Sequence, residues 1–301
     1  MNRTPIEWVP KGDMRGYTWN PLGWGCHGGC EYCYARRFAH RGLTKCLKCR
    51  AFIPHWHPER MIDPLRVRKP SRVFVQSMGD LFGPWNLAVW ILAVLSRVRE
   101  ASRHEFLLLT KHPEIMRRYP IPPNAWAGVT VTNQPDAEAR VPILQEMVHS
   151  SRPGLRRVYK LSPDGSTRGL RFISVEPMLS AVDMSPWLNP GCYSGIDWVI
   201  IGAQTGPGAD HSGLAERVID LTDQCRRAGV PVAAEGGFGD PGAAARGETP
   251  FGTPWGPGGP PASPDIPLGQ AGAAGREEAR RLLDAAGRDR YGDRGAPGWG
   301  G

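Results

Sequence analysis

From residue 72 onward the chain alternates between two kinds of segment, and that alternation limits its folds more than any other feature. The runs "RVFVQSMGDLF", "EFLLLTKHP", "AWAGVTVTN", "LRFISVEPML", "IDWVIIGAQTG" and "VPVAAEG" are rich in β-branched and aromatic residues and continuously apolar. Strands of that kind are covered on both faces, as in parallel sheets. Between them lie "LAVWILAVLSRVREA", the short "PEIMRRYP", "DAEARVPILQEMVHS" and "AERVIDLTDQCRRAG", which have helical spacing. The last stops at Gly229, a residue type that closes helices. The pattern predicts βα units and an α/β fold with a parallel sheet, closed or partly closed.

Chemistry in such folds gathers at the C-terminal ends of the strands. Here those ends read "SMGD" (Ser77 to Asp80), "TKHP" (Thr110 to Pro113), "TVTN" (Thr130 to Asn133), "SVEP" (Ser174 to Pro177) and "GAQTG" (Gly202 to Gly206). Polar βα loops are common to the whole class; five polar tips on one edge point to a shared pocket.

The composition divides the chain. Residues 1–235 hold the strand and helix runs, while 236–301 concentrate the Gly and Pro of a sequence with 38 Gly and 30 Pro. That stretch has too little apolar surface to fold by itself, so it reads as a disordered tail with one short helix near 276–286. The N-terminus lacks the apolar core of a secretory signal, and "NLAVWILAVLSRV" is too short to span a bilayer. Seven cysteines, two groups of them close-set, do not suit a disulfide framework. A cytoplasmic chain with metal-holding thiols and no membrane contact is expected. The net charge of +8 favours an anionic partner such as nucleic acid, though it also serves plain solubility.

The stretch "GWGCHGGCEYCYARR" places Cys26, Cys30 and Cys33 in a C-x3-C-x2-C spacing among four glycines that let a loop wrap a metal centre. A 4Fe–4S cluster takes four thiolates, so three leave one iron open to another ligand. The alternative is zinc, with the fourth ligand from His27 or from elsewhere. The helical spacing of "YARRFAHRGL" predicts that a helix follows.

This spacing, with Tyr32 in the aromatic place before the last cysteine, resembles the cluster motif of the radical S-adenosylmethionine superfamily. The blocks "YTWNPLGWGC", "RVFVQSMGDLF", "FLLLTKHPEIM", "WAGVTVTNQ", "RFISVEPML", "DWVIIGAQTGPGA" and "DQCRRAGVPV" are similar, in order, to an uncharacterised phage-encoded family assigned to it. The resemblance implies a partial (β/α)6 TIM-like barrel with the cluster loop after a first strand at "GYTWN". It implies a 4Fe–4S cluster on Cys26, Cys30 and Cys33, with S-adenosylmethionine bound at the open iron. It further implies reductive cleavage to a 5′-deoxyadenosyl radical and a reductant such as flavodoxin or ferredoxin. Tyr32 would pack near the adenine, and Gly79 and Asp80 would meet the amino group. Thr130, Thr132 and Asn133 would contact ribose or carboxylate, and Glu176 would wall the pocket. The resemblance to a phage-encoded family and the basic charge suggest a nucleotide or nucleic-acid base as substrate, with a small metabolite or a peptide as the alternatives. Where that family carries a Lys-Gln-Trp-Gly-like strand, this chain reads "AAEGGFGD", which leaves the last strand in question.

A second group, "KCLKCRAFIPHWHPER", offers Cys46, Cys49, His55 and His57 within a possible zinc-binding insertion at 44–60. C-x2-C followed by H-x-H suits tetrahedral zinc, although the histidines are set closer than in ordinary fingers and need not both bind; a surface loop with unrelated thiols and an auxiliary iron–sulfur cluster are the alternatives. Cys225 reads as a small core residue, and Cys192 belongs to no site. The basic groups "ARRFAHRG", "RVRKPSR", "MRRYP" and "RPGLRR" are interleaved with aromatics. They fit either nucleic-acid contact or solvated faces. The competing class is a non-catalytic, zinc-stabilised nucleic-acid-binding protein.

Overall fold

The computed structural model describes residues 1–147, 160–161, 167–168, 170–188 and 195–234. The Gly/Pro-rich tail, its short helix and Cys192 lie outside the described residues. The strands are β1 (Asn2–Arg3), β2 (Arg15–Trp19), β3 (Ser71–Val75), β4 (Glu105–Thr110), β5 (Ala125–Thr130), β6 (Lys160–Leu161), β7 (Thr167–Arg168), β8 (Arg171–Val175), β9 (Trp198–Ile201) and β10 (Val232–Ala234). The helices are α1 (Tyr34–His40), α2 (Leu47–Arg50), α3 (Asp63–Arg66), α4 (Ala88–Glu100), α5 (Pro113–Met116), α6 (Gln134–Glu146) and α7 (Leu214–Ala228).

Eight strands form one sheet in the order β1-β2-β3-β4-β5-β8-β9-β10, and β6 pairs with β7 apart from it. β1 is antiparallel to β2, and every other neighbouring pair in the sheet is parallel. From β2 onward, spatial order equals chain order, so each crossover steps the same way. Right-handed crossovers then set the helices on one face. The sheet curls into a half-barrel, as the alternating runs predict for a partly closed α/β fold.

The pleat sorts the side chains. Val73, Val75, Phe106, Leu108, Val129, Ile173, Val175, Val199 and Ile201 share a core with Val94 and Leu95 of α4, Val141 and Leu144 of α6, and Leu221 and Cys225 of α7. The intervening residues Phe74, Leu107, Trp126, Phe172, Trp198 and Ile200 form a second core on the concave face with Trp8 and Val9. Fully burying each such side chain stabilises the fold by about 1.5–3 kcal/mol. Gly128 leaves room for this layer, because a Cβ there would lie 2.4 Å from the Phe172 ring.

The N-terminal end of the half-barrel is filled by charge and aromatic rings together. Arg72 is buried, bonds Glu105 at 3.0 Å and lies over the rings of Trp126 (5.2 Å) and Trp198 (5.5 Å). Lys11 reaches the other Glu105 oxygen at 2.9 Å. With this end plugged, the concave face opens at the C-terminal strand ends. β10 pairs with β9 in register Val232↔Val199, so the strand in question forms over Val232–Ala234; the rest of "AAEGGFGD" lies outside the described residues. α7 ends as expected, at Gly229 with φ +69°.

Candidate functional site

β2 hands the chain directly to the three-cysteine loop, which then enters α1. The loop is tied to the turn after β3. The Gly25 N–H donates to the Met78 carbonyl at 3.0 Å, and the Asn20 side chain accepts the Met78 N–H at 2.9 Å. The approach is so close that a Cβ on Gly79 would lie 2.4 Å from the Gly25 carbonyl oxygen. Buried Gln76, at φ +58°, closes the clamp: it accepts the Leu22 N–H at 3.1 Å and donates to the Gly23 carbonyl at 2.8 Å.

All three thiols are half-buried and face hydrogen-bond donors. Cys26 Sγ accepts the Gly28 N–H at 3.2 Å. Cys33 caps α1 and accepts the Arg36 N–H at 3.4 Å. Cys30 Sγ accepts from Lys111 Nζ at 3.3 Å, and the same ammonium donates to the Tyr32 hydroxyl at 2.6 Å. A Cβ on Gly28 would lie 3.2 Å from Cys26 Sγ and 3.9 Å from Cys30 Sγ, which places both sulfurs about one glycine. Burial pushes the Cys26 thiol up to about 11, and Asp80, Cys33 and Cys30 push the same way. A thiol held so high ionises when a metal takes the place of its proton. Three thiols on one short loop, each facing an N–H donor, have the ligand chemistry that an iron–sulfur cluster takes, although they are not drawn together as tightly as the Cys46, Cys49, His55 and His57 group.

The other polar tips differ in what they do. The buried Asp80 carboxylate accepts from the Thr110 hydroxyl (2.7 Å), the Lys111 N–H (2.8 Å) and the Phe82 N–H (3.0 Å). It therefore locks the β3 turn to the end of β4. Asn133 caps α6 by accepting the Asp136 N–H at 2.9 Å, and Asp136 reaches back to the Thr132 hydroxyl at 2.6 Å. Both side chains thus start the helix, in the manner of a capping box. Thr130 lies on the concave side of β5. Glu176 lies across Gly202, where a Cβ would meet its Cγ at 2.6 Å. Lys111, Gln76 and Phe52 were not singled out by spacing. The signal for Lys111 was parity, since it follows Leu107 and Leu109 on the inward side of β4.

Cys46, Cys49, His55 and His57 come together, with one ligand atom from each lying within 4.8 Å of the others. Cys46 Sγ is 3.2 Å from His55 Nε2, and Cys49 Sγ is 3.4 Å from His57 Nε2. Bonds of about 2.0–2.3 Å to a tetrahedral zinc separate its ligands by roughly 3.3–3.8 Å, so this group could hold a metal such as zinc. Both Nδ1 atoms are occupied, His55 by the Ile53 carbonyl at 2.7 Å and His57 by Glu59. That leaves each Nε2 facing the thiols, as metal-binding histidines require. Burial lowers the His55 pKa, which favours the neutral, ligating imidazole. Burial raises Cys49, partly offset by the Trp24 N–H. Elsewhere, burial pushes Cys225 up to about 12, in keeping with an inert core residue.

Among the described residues, no helix is long and apolar enough to cross a membrane. No curated protein and no solved structure matches the chain. One family model does, over residues 3–153 and 148–253, which together take in most of the sequence. On that match, the chain belongs to the protein family of unknown function designated DUF5131.

Proposed function

We propose that this protein is a radical S-adenosylmethionine enzyme on a partial (β/α)6 TIM-like barrel. The observation that carries the reading is the three-cysteine loop after β2, clamped to the Met78–Gly79–Asp80 turn at the open end of a sequentially ordered parallel sheet. Cys26, Cys30 and Cys33 would hold a 4Fe–4S cluster and leave one iron for the cofactor. When bound, that pair supplies one-electron reductive cleavage of S-adenosylmethionine, with electrons from a donor such as flavodoxin or ferredoxin.

The chain's own groups orient and shield. Gly79 lets the β3 turn touch the cysteine loop at Gly25, and its backbone would meet the cofactor's amino group. Asp80 fixes that turn through Thr110 and the Lys111 N–H. Lys111 holds Tyr32 beside the thiols. Thr130 and Glu176 supply polar contacts at neighbouring strand ends, with Thr132 and Asn133 setting the α6 start beside them. Zinc at Cys46, Cys49, His55 and His57 completes the metal inventory.

The substrate class that fits is an anionic molecule with an aromatic ring, a nucleotide or nucleic-acid base. The basic balance of +8 supports it. So does α1, where exposed Tyr34 and Phe38 stand among Arg36, Arg37 and Arg41 next to the loop. The test is anaerobic reconstitution with iron and sulfide, then S-adenosylmethionine and a reductant. 5′-Deoxyadenosine should form in the wild type and not in Cys30→Ala. A colourless, zinc-only protein that forms none would favour the non-catalytic binding class.

A further inference from the structure

The four-ligand group does not stand apart from the three-cysteine loop. Residues 46–57 lie along residues 21–25 like a splint. The His57 N–H donates to the Pro21 carbonyl at 2.9 Å and the His55 N–H to the Leu22 carbonyl at 3.3 Å. In return, the Trp24 N–H donates to Cys49 Sγ at 3.3 Å, so a ligand sulfur is itself a partner of the loop backbone. The fit is tight. A Cβ on Gly23 (φ +67°) would lie 2.5 Å from the His55 ring, and one on Gly25 would lie 2.3 Å from the Pro54 nitrogen.

A side chain makes a second, independent link. Phe52 lies between the two cysteines and the two histidines of the group, and its backbone is in the left-handed region at φ +56°. A non-glycine residue pays on the order of 1 kcal/mol for that conformation, so it persists where its surroundings impose it. There its buried ring packs with Ala35 and Ala39 of α1 and Met78 of the β3 turn, against Trp24, Cys26 and Cys33. The Arg36 guanidinium lies over the same ring at 5.8 Å.

We infer that a metal ion held by Cys46, Cys49, His55 and His57 sets the position of the three-cysteine loop, through the backbone bonds to residues 21–24 and through Phe52. Without the ion, the four side chains are joined only by weak thiol–imidazole hydrogen bonds, Cys46 to His55 at 3.2 Å and Cys49 to His57 at 3.4 Å. Their release frees the Trp24 N–H, the two carbonyls and the Phe52 ring at once. The inference rests on the radical reading only for what the loop carries; the mechanical coupling stands without it.

The experiment uses the full chain with zinc and no iron. Amide hydrogen exchange is followed at Trp24, Gly25, His55 and His57 in the zinc-loaded protein, after zinc removal by a chelator, and after zinc is returned. Amides of β8, at Phe172 and Ile173, are the reference. The expected result is one zinc per chain, exchange at the loop amides faster by on the order of tenfold after removal, recovery with zinc, and unchanged β8 amides. His57→Gln, which keeps three ligands and most of the imidazole's volume, is read alongside. Its loop protection should follow its zinc occupancy. Stoichiometric zinc with unchanged loop exchange overturns the inference, as does failure to bind zinc. Equal loss of protection in the loop and β8 in both proteins also overturns it, since the metal would then stabilise the whole chain. Because no iron is present, absence of 5′-deoxyadenosine chemistry leaves this outcome untouched.

Discussion

Lys111 Nζ lies 3.3 Å from Cys30 Sγ and 2.6 Å from the Tyr32 hydroxyl, so one ammonium joins the end of β4 to two residues of the cysteine loop. It works against burial, yet the Tyr32 hydroxyl and the Cys30 thiol hold its pKa above the ordinary lysine value. A fixed positive charge beside a cluster sulfur favours the reduced cluster. Lys111→Met should therefore shift the cluster potential to more negative values. It should also slow 5′-deoxyadenosine formation by about 10–100-fold, as loss of a partner to a metal ligand does. Potentiometric titration followed by electron paramagnetic resonance checks the first; an unchanged potential would place Lys111 outside the cluster's surroundings.

Gly79 is demanded by contact with Gly25, because a Cβ would meet backbone oxygen at 2.4 Å. Backbone cannot swing aside as a flexible side chain does. Gly79→Ala should cost about 1–3 kcal/mol in chemical denaturation. It should also lower the iron retained per chain after reconstitution.

The strand-end residues should separate into two groups. Asn133→Ala removes the α6 cap and should cost about 1 kcal/mol of stability, with 5′-deoxyadenosine formation by the folded protein unchanged. Glu176→Gln should leave the melting temperature nearly unchanged and weaken S-adenosylmethionine binding roughly tenfold. Calorimetric titration and thermal melts on both variants distinguish a capping role from a pocket role.

Acid stability should depend on Glu105. Burial opposes its ionisation, but Arg72 and Lys11 prevail and hold its pKa below the ordinary value. A carboxyl depressed on folding contributes stability above its unfolded pKa of about 4.3, lost as the pH falls through the folded value. The wild type should thus lose stability steeply below about pH 4. Glu105→Gln should show a flatter acid limb and start about 3–5 kcal/mol less stable at neutral pH, since Arg72 is left buried and unpaired. Urea melts from pH 3 to 7 give both slopes.

The mostly parallel α/β sheet was legible because its strands are continuous apolar runs, and the helix stop at Gly229 is a local signal. The four-ligand group was legible because all four side chains fall in one short segment. Contacts that depend on chain path were not. Gln76 is three residues before Gly79 and unremarkable in sequence; its backbone at φ +58° accompanies an amide that bonds Leu22 and Gly23. Phe52 read as one more apolar residue, although its ring joins the four-ligand group to α1. Thr132 and Asn133 stand out in sequence only as a polar strand end; that Asp136 a turn later engages both depends on the start of α6. β10 forms although its sequence departs from the related strand, because parallel pairing to β9 uses backbone groups that any residue but proline supplies.

The most direct test of the central claim is 5′-deoxyadenosine formation by the anaerobically reconstituted full chain, with S-adenosylmethionine and a one-electron reductant present. The account predicts a brown protein with about four irons per three-cysteine site and a product absent from Cys30→Ala. A wild type that binds a full cluster yet forms no more 5′-deoxyadenosine than Cys30→Ala would contradict it.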